Sequence, residues 1–139
     1  MANAELSFSI ARQVAENSDF TKTHVGCVIV YKNSVIASGH NTNKTHPMQK
    51  KYNRIRSGRL EDDGFAPKMH AEIMALSKLS EEDIDTRKLC LYTYRIRKDK
   101  DFGMARPCPS CMQAIKDMGI RKICYTTDDG YATETISGY

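Results

Sequence analysis

Residues 69–76, MHAEIMAL, and residues 106–112, RPCPSCM, are the two stretches around which the chain is organised. The first stretch supplies one imidazole, that of His70. The second supplies two thiols, those of Cys108 and Cys111, in a Cys-x-x-Cys spacing. An apolar run typical of a helix follows each motif. These features predict one metal ion held jointly by the imidazole and the two thiols.

The ligand types indicate a catalytic metal site. Zinc held by three nitrogen or sulfur ligands keeps a fourth position open, whereas a structural zinc site is closed by four protein ligands. Glu72, two positions after His70, is the only acid that the motif fixes near the ion. We therefore expect Glu72 to transfer protons and not to bind metal. A closed site would need one more ligand; the candidates are His24, His40, His46, Cys27, Cys90 and Cys124, none of which has paired ligand spacing.

Length and composition are those of an ordinary globular chain, with 139 residues of which 40% are hydrophobic. We expect one zinc-dependent domain over residues 1–139. No apolar run is long enough to cross a membrane and the first residues do not resemble a signal peptide, so we expect a cytoplasmic protein without a membrane partner. Five cysteines in such a chain argue against a disulfide framework. Cys27, Cys90 and Cys124 lie in apolar, strand-like runs and are predicted to be buried thiols.

The predicted elements follow the order α-β-β-α-β-α-β. Helices are predicted at 5–17, 70–79 and 109–119, and strands at 25–31, 35–38, 89–96 and 121–126. Pro109 suits the first turn of a helix, and Gly119 suits its C-terminal end. One short strand is expected within 127–139, and a short helix around 48–56 is an option in the otherwise irregular 42–68. A hairpin followed by crossover helices predicts an α/β fold with one mixed sheet covered by helices.

The combination of His-Ala-Glu with Pro-Cys-x-x-Cys resembles the signature of the zinc-dependent nucleobase deaminases. Residues 25–30, VGCVIV, look like the first strand of the cytidine and deoxycytidylate deaminase superfamily, and residues 39–41, GHN, look like the end of its second strand. The resemblance implies a three-layer α/β/α sandwich, a mixed sheet of about five strands and bound Zn²⁺. It also implies acid–base catalysis by Glu72, a sugar contact from Asn41 and a base contact from the backbone N–H of Ala71. Relatives commonly self-associate, so a homo-oligomer is implied as well.

We expect the reaction to be hydrolytic deamination of a free cytosine nucleotide or nucleoside, with dCMP as one candidate, giving the uracil product and ammonia. The mild net charge of +4 suits an anionic small molecule or RNA and does not by itself distinguish between them. Two alternatives stay open. One is a deaminase that acts on RNA or single-stranded DNA, and the other is a catalytically silent, zinc-stabilised binding module. The presence of Glu72 argues against the silent module.

One segment is strongly basic and allows two interpretations. Its cations are Lys44, Lys50, Lys51, Arg54, Arg56 and Arg59. They form either a solvated loop with local ion pairs or a phosphate-binding edge of the substrate pocket. On a polynucleotide-binding protein they would form a backbone track with further cations, and aromatic residues would stack on bases. Those further residues are Arg95, Arg97, Lys98, Lys100 and Arg106, with Tyr52 or Tyr94 as the stacking platform.

Overall fold

The computed structural model describes residues 4–18, 24–32, 34–42, 70–79, 85–96 and 103–136. The basic segment at 44–59, the optional helix around 48–56, and the residues His46, Tyr52, Arg97, Lys98 and Lys100 lie outside these ranges. Among the described residues, no helix combines the length and the apolar character needed to cross a bilayer.

The helices and strands follow the predicted order, and a strand is added at the end. The helices are α1 (Ala4–Glu16), α2 (Ala71–Ser77) and α3 (Pro109–Asp117), with a short 3-10 helix at Thr86–Lys88 before the third strand. The strands are β1 (His24–Tyr31), β2 (Ser34–His40), β3 (Cys90–Ile96), β4 (Lys122–Thr126) and β5 (Tyr131–Thr135). The last strand confirms the one expected in the tail. Helices α2 and α3 each end two residues earlier than predicted.

The strands form one mixed sheet in the order β2-β1-β3-β4-β5. β1 pairs antiparallel with both β2 and β3, and β4 pairs antiparallel with β5. β3 and β4 run parallel, with Leu91 opposite Ile123 and Thr93 opposite Tyr125. Parallel neighbours need a crossover connection. Helix α3 lies within this crossover, so the parallel pair brings the start of α3 to the edge where β3 ends.

Helices cover both faces of the sheet, which confirms the predicted three-layer α/β/α sandwich. On one face, Phe8 and Ala11 of α1 pack with the even-numbered side chains of β1 and β3, such as Val28 and Tyr92. On the other face, α2 and α3 pack with the alternate side chains, such as Ile29, Leu91 and Ile123. Successive residues of a strand point to opposite faces, so the alternation of the sequence divides the core into these two halves.

Two glycines allow a helix to approach the sheet on each face. A Cβ atom on Gly39 would lie 2.5 Å from the carbonyl oxygen of Ala71 and 2.6 Å from the backbone nitrogen of Ala75, both in α2. A Cβ atom on Gly26 would collide with the backbone of Ala11 and Ala15 in α1. Gly39 lies opposite Cys27 in the β1–β2 register, next to Gly26. The backbone of α2, which begins just after His70, is therefore packed directly on β2.

Candidate metal centre and active site

Both halves of the motif lie at helix starts. His70 is the N-cap residue of α2, and Cys108 is the N-cap residue of α3, each with extended backbone angles. Pro109 occupies the first turn of α3, where its missing N–H leaves no helical hydrogen bond unmade. Gly119 has φ of 87° just after α3, a left-handed conformation that favours glycine at a helix end. The two helix starts lie beside each other on one face of the sheet, which brings the candidate ligands of the two motifs together.

His70, Cys108 and Cys111 form a group whose ligand atoms all lie within 4.8 Å of one another. Nδ1 of His70 is 3.4 Å from Sγ of Cys111 and 3.8 Å from Sγ of Cys108. A tetrahedral zinc ion, with Zn–S near 2.3 Å and Zn–N near 2.0 Å, would separate nitrogen and sulfur ligands by about 3.5 Å. The donor atoms and their spacing fit zinc.

The closed structural site predicted as the alternative is not supported within the described ranges. No other histidine, cysteine or acid of those ranges joins the group as a fourth ligand. Cys27, Cys90 and Cys124 are buried free thiols, as the sequence predicted. Cys90 and Cys124 lie on the α1 face, with their sulfur atoms 3.8 Å apart. His40 has its ring Nδ1 3.2 Å from the backbone oxygen of Asn41.

The two thiols of the group have opposite protonation tendencies. A hydrogen bond from Cys111, helped by those from His70 and Ser110, lowers the pKa of Cys108 well below its ordinary value. The hydrogen bond to Cys108, together with burial, raises the pKa of Cys111. One sulfur thus already favours the thiolate form that binds metal.

Glu72 is a buried acid directly beside this group. It is 5% exposed and lies in the first turn of α2. Burial raises the pKa of Glu72 to about 7, since a low-dielectric environment penalises the carboxylate; the nearby His70 imidazole acts in the opposite direction. A carboxyl group that titrates near neutral pH can both accept and donate a proton under physiological conditions.

A cavity of about 250 Å³ opens beside the candidate ligands. It is lined by His70, Ala71, Glu72 and Cys108 of the two motifs, and also by Val25, Asn41, Arg95, Met104, Ala105 and Arg106. A volume of this size is of the order of a small-molecule site. Two of the three candidate metal ligands, the buried acid and both residues predicted to touch substrate therefore border one cavity.

Asn41 is held at this cavity by backbone contacts. Its side-chain oxygen accepts a hydrogen bond from the N–H of Val25 at 3.0 Å, and its own N–H donates to the carbonyl oxygen of Val25 at 3.1 Å. The hydroxyl of Ser18 lies 2.8 Å from the backbone oxygen of Asn41. Asn41 is 2% exposed. These contacts fix the orientation of its side-chain amide.

The segment before Cys108 adds lining residues that the motifs did not predict as part of a small-molecule pocket. Arg106 donates two hydrogen bonds to Glu134 of β5, at 2.6 and 3.2 Å. The hydroxyl of Tyr125 donates to the same carboxylate at 2.7 Å. The sequence contains little indication of the Arg106–Glu134 contact, because Glu134 lies in the tail and reaches Arg106 only through the β4–β5 pairing.

The proposed stacking role of Tyr94 is wrong. Tyr94 is 2% exposed and lies in the core under α1, on the face opposite the cavity. Its hydroxyl accepts a hydrogen bond from Arg12 of α1 at 3.2 Å. A buried ring on the far face of the sheet cannot stack on a base at this site.

The chain is similar to a known protein family and to several solved structures. The cytidine and deoxycytidylate deaminase zinc-binding region matches residues 1–127. The apo crystal structure of dCMP deaminase from the cyanophage S-TIM5 is 26% identical, with 87% of this chain and 79% of that chain covered and a TM-score of 0.54. The structure of the same phage enzyme in complex with dCMP and dUMP is 25% identical, with coverage of 87% and 78% and a TM-score of 0.56.

Cytidine deaminase from Burkholderia pseudomallei is 14% identical, with coverage of 96% and 92% and a TM-score of 0.65, and this likeness supports the fold alone. No curated protein matches the chain. The family match spans both halves of the motif, strands β1 to β4 and all three helices. The chain belongs to the zinc-binding cytidine and deoxycytidylate deaminase family.

Proposed function

We propose that this protein is a zinc-dependent hydrolase that deaminates a free cytosine nucleotide or nucleoside, with dCMP as the first candidate, to the uracil compound and ammonia. The observation that carries the proposal is that two of the candidate metal ligands and Glu72 border the same cavity. Metal ligands and a buried acid beside a small-molecule cavity suit hydrolysis of a C–N bond in a small ring.

We assign His70, Cys108 and Cys111 as the zinc ligands. Their mutual distances support this assignment. Zinc bound in such a site supplies Lewis acidity that makes water a nucleophile near neutral pH. The neutral imidazole and the two thiolates bring the total charge of such a site to zero, which suits a partly buried position.

We assign the acid–base role to Glu72. Its carboxylate would take a proton from the attacking water and deliver it to the ring nitrogen next to C4, which makes C4 electrophilic. A second transfer through the same carboxyl group would protonate the departing amine, so that ammonia leaves and the C4–O bond remains. The raised pKa of Glu72, about 7, supports both transfers, because neither the acid nor the carboxylate is strongly favoured at neutral pH.

Asn41 and Ala71 are proposed to position the substrate. Asn41 would contact the sugar, and its fixed amide orientation supports this role. Ala71 is the first residue of α2, where a backbone N–H has no intrahelical partner. That N–H would meet the carbonyl oxygen of the base. Both residues border the cavity.

A monomeric nucleotide is the better-supported substrate class. The phage relative of 25% identity was solved with dCMP and dUMP. Tyr94, one of the two tyrosines predicted to stack on bases, lies in the core, which weakens the polynucleotide alternative. Deamination of nucleic acid is therefore the less favoured function for this site.

A panel assay tests the proposal. The purified, zinc-loaded protein is incubated with cytidine, deoxycytidine, CMP, dCMP and a cytosine-containing oligonucleotide, and ammonia release is followed. We expect turnover of at least one monomer and less on the oligonucleotide. Absence of turnover on every monomer, with stoichiometric zinc bound, would refute the proposed reaction.

A further inference from the structure

Arg95 lies in the candidate active-site cavity although neither motif contains it. It is near the end of β3, where it follows Leu91 and Thr93 at alternate positions. Leu91 belongs to the core half beneath α2 and α3, so strand alternation directs Arg95 to the same face. Tyr94, its neighbour, points to the opposite face. Arg95 accordingly borders the same cavity as Glu72 and His70.

The guanidinium group of Arg95 has few partners in this cavity. Its Nε atom is buried and makes no hydrogen bond. Its Nη1 atom lies 3.5 Å from the backbone oxygen of Met104, at the long limit for a hydrogen bond. No carboxylate of the described residues forms an ion pair with it. A buried, unsatisfied N–H on a cation is costly to maintain, so such a group is a candidate for pairing with a ligand.

Arg106 borders the same cavity, but its guanidinium group is paired with an acid. Glu134 accepts two hydrogen bonds from its guanidinium and balances its charge. The hydroxyl of Tyr125 holds the Glu134 carboxylate in place. Of the two arginines at the cavity, Arg95 is thus the one whose charge is not compensated by an acid of the described chain.

We infer that Arg95 is a specificity-determining residue that binds the phosphate monoester of the substrate, and that the enzyme therefore prefers a cytosine nucleotide to the nucleoside. Arginine presents its N–H groups as a planar fork that matches phosphate oxygens. The phosphate would accept hydrogen bonds from the guanidinium group and would balance its positive charge. This inference rests on the proposed deaminase function and adds the choice between nucleotide and nucleoside.

The test compares Arg95→Gln and Arg95→Lys with wild type, using dCMP and deoxycytidine as substrates. We expect Arg95→Gln to lower kcat/KM for dCMP about 10- to 100-fold, the range for loss of a charged hydrogen bond, while deoxycytidine changes less than about 3-fold. Arg95→Lys should recover part of the dCMP rate, because it keeps the charge without the fork. Arg87→Gln is the matched control, since Arg87 of the 3-10 helix pairs with Asp85, the residue before that helix, and does not border the cavity.

A titration that does not depend on turnover completes the test. Calorimetry should show that Arg95→Gln weakens dUMP binding while deoxyuridine binding is unchanged, and that inorganic phosphate competes with dUMP on wild type but less on the variant. Equal losses for nucleotide and nucleoside would mean that Arg95 only supports the segment at Met104, and the inference would be overturned. Unchanged binding of dUMP by a folded Arg95→Gln protein would overturn it too.

The two proposals fail in different ways. If wild type deaminates no cytosine monomer, the proposed function fails. The dUMP titration still tests whether Arg95 binds phosphate. If wild type deaminates dCMP and the ratio of nucleotide to nucleoside rates is the same in Arg95→Gln, only the role of Arg95 fails.

Discussion

Nδ1 of His70 lies 3.4 Å from Sγ of Cys111, although 41 positions separate the two residues in the chain. The contact exists because α2 and α3 start side by side on one face of the sheet. Each helix start is set by a local signal, and the sheet brings the two together, because α2 packs on β2 and α3 lies in the crossover between β3 and β4. The candidate metal centre thus depends both on the two short motifs and on the fold that places them side by side.

Replacing Cys108 by alanine is expected to abolish stoichiometric zinc binding. The change leaves two of the three ligands, and the remaining imidazole and thiol bind zinc much more weakly than the complete group. Metal analysis by inductively coupled plasma mass spectrometry measures the zinc content. Cys90→Ala is the control, because Cys90 is a buried thiol on the opposite face and should leave the zinc content intact. Full zinc occupancy in Cys108→Ala would contradict the ligand assignment.

Glu72→Gln is expected to keep zinc and to lose turnover. Glutamine has nearly the same shape but cannot carry the proton, so we expect kcat to fall by about 10²- to 10⁴-fold. The rate of ammonia release and the zinc content are measured on the same preparation. Glu16→Gln, an exposed acid in α1, is the control and should behave as wild type. Wild-type turnover by Glu72→Gln would rule out the acid–base role.

Gly39→Ala is expected to weaken zinc binding from outside the ligand set. The new Cβ would meet the backbone of α2, so α2 must move, and His70 precedes it directly. We expect a loss of about 1–3 kcal/mol in the free energy of unfolding, as for other overpacked cores, and a higher Kd for zinc. Chemical denaturation and a zinc competition assay measure the two quantities.

Gly26→Ala provides the matched comparison for that prediction. Its Cβ would press on α1, which lies on the other face of the sheet and carries no candidate ligand. We expect a similar loss of stability, with zinc affinity close to wild type. If both variants lost zinc equally, the position of α2 on Gly39 would not be what controls the ligand geometry.

Removal of zinc is expected to lower the thermal stability. A ligand that binds only the folded state at 1,000 times its Kd contributes about 4 kcal/mol, which corresponds to a Tm shift of roughly 10 °C for a chain of this size. Calorimetric scans with and without a chelator measure the shift. The chelator should have no further effect on Cys108→Ala. An unchanged Tm in chelated wild type would show that the group does not bind metal in the folded protein.

Local chemistry made much of the site predictable from the sequence. The spacing of Cys108 and Cys111, with Pro109 between them, sets two thiols at a helix start, and His70 and Glu72 begin another helix after a break. The strand positions followed from β-branched and apolar runs such as 25–31. These signals act within a few residues, so one sequence contains them in full.

The environment of the pocket needed the tertiary structure. Sequence reasoning placed Arg95 and Tyr94 together on a nucleic-acid track, but strand alternation separates them to opposite faces, and only the packing shows that α1 buries the Tyr94 face. The pairing of Arg106 with Glu134 likewise depends on β5 returning beside β4.

The sequence by itself identified the candidate metal-binding and proton-transferring groups, since ligand chemistry and helix-start signals are encoded in short motifs. The fold alone decided which charged side chains at the cavity are compensated and which are not. Compensation is a matter of distances between residues far apart in the chain, and those distances are set by which strands pair and which face each helix covers.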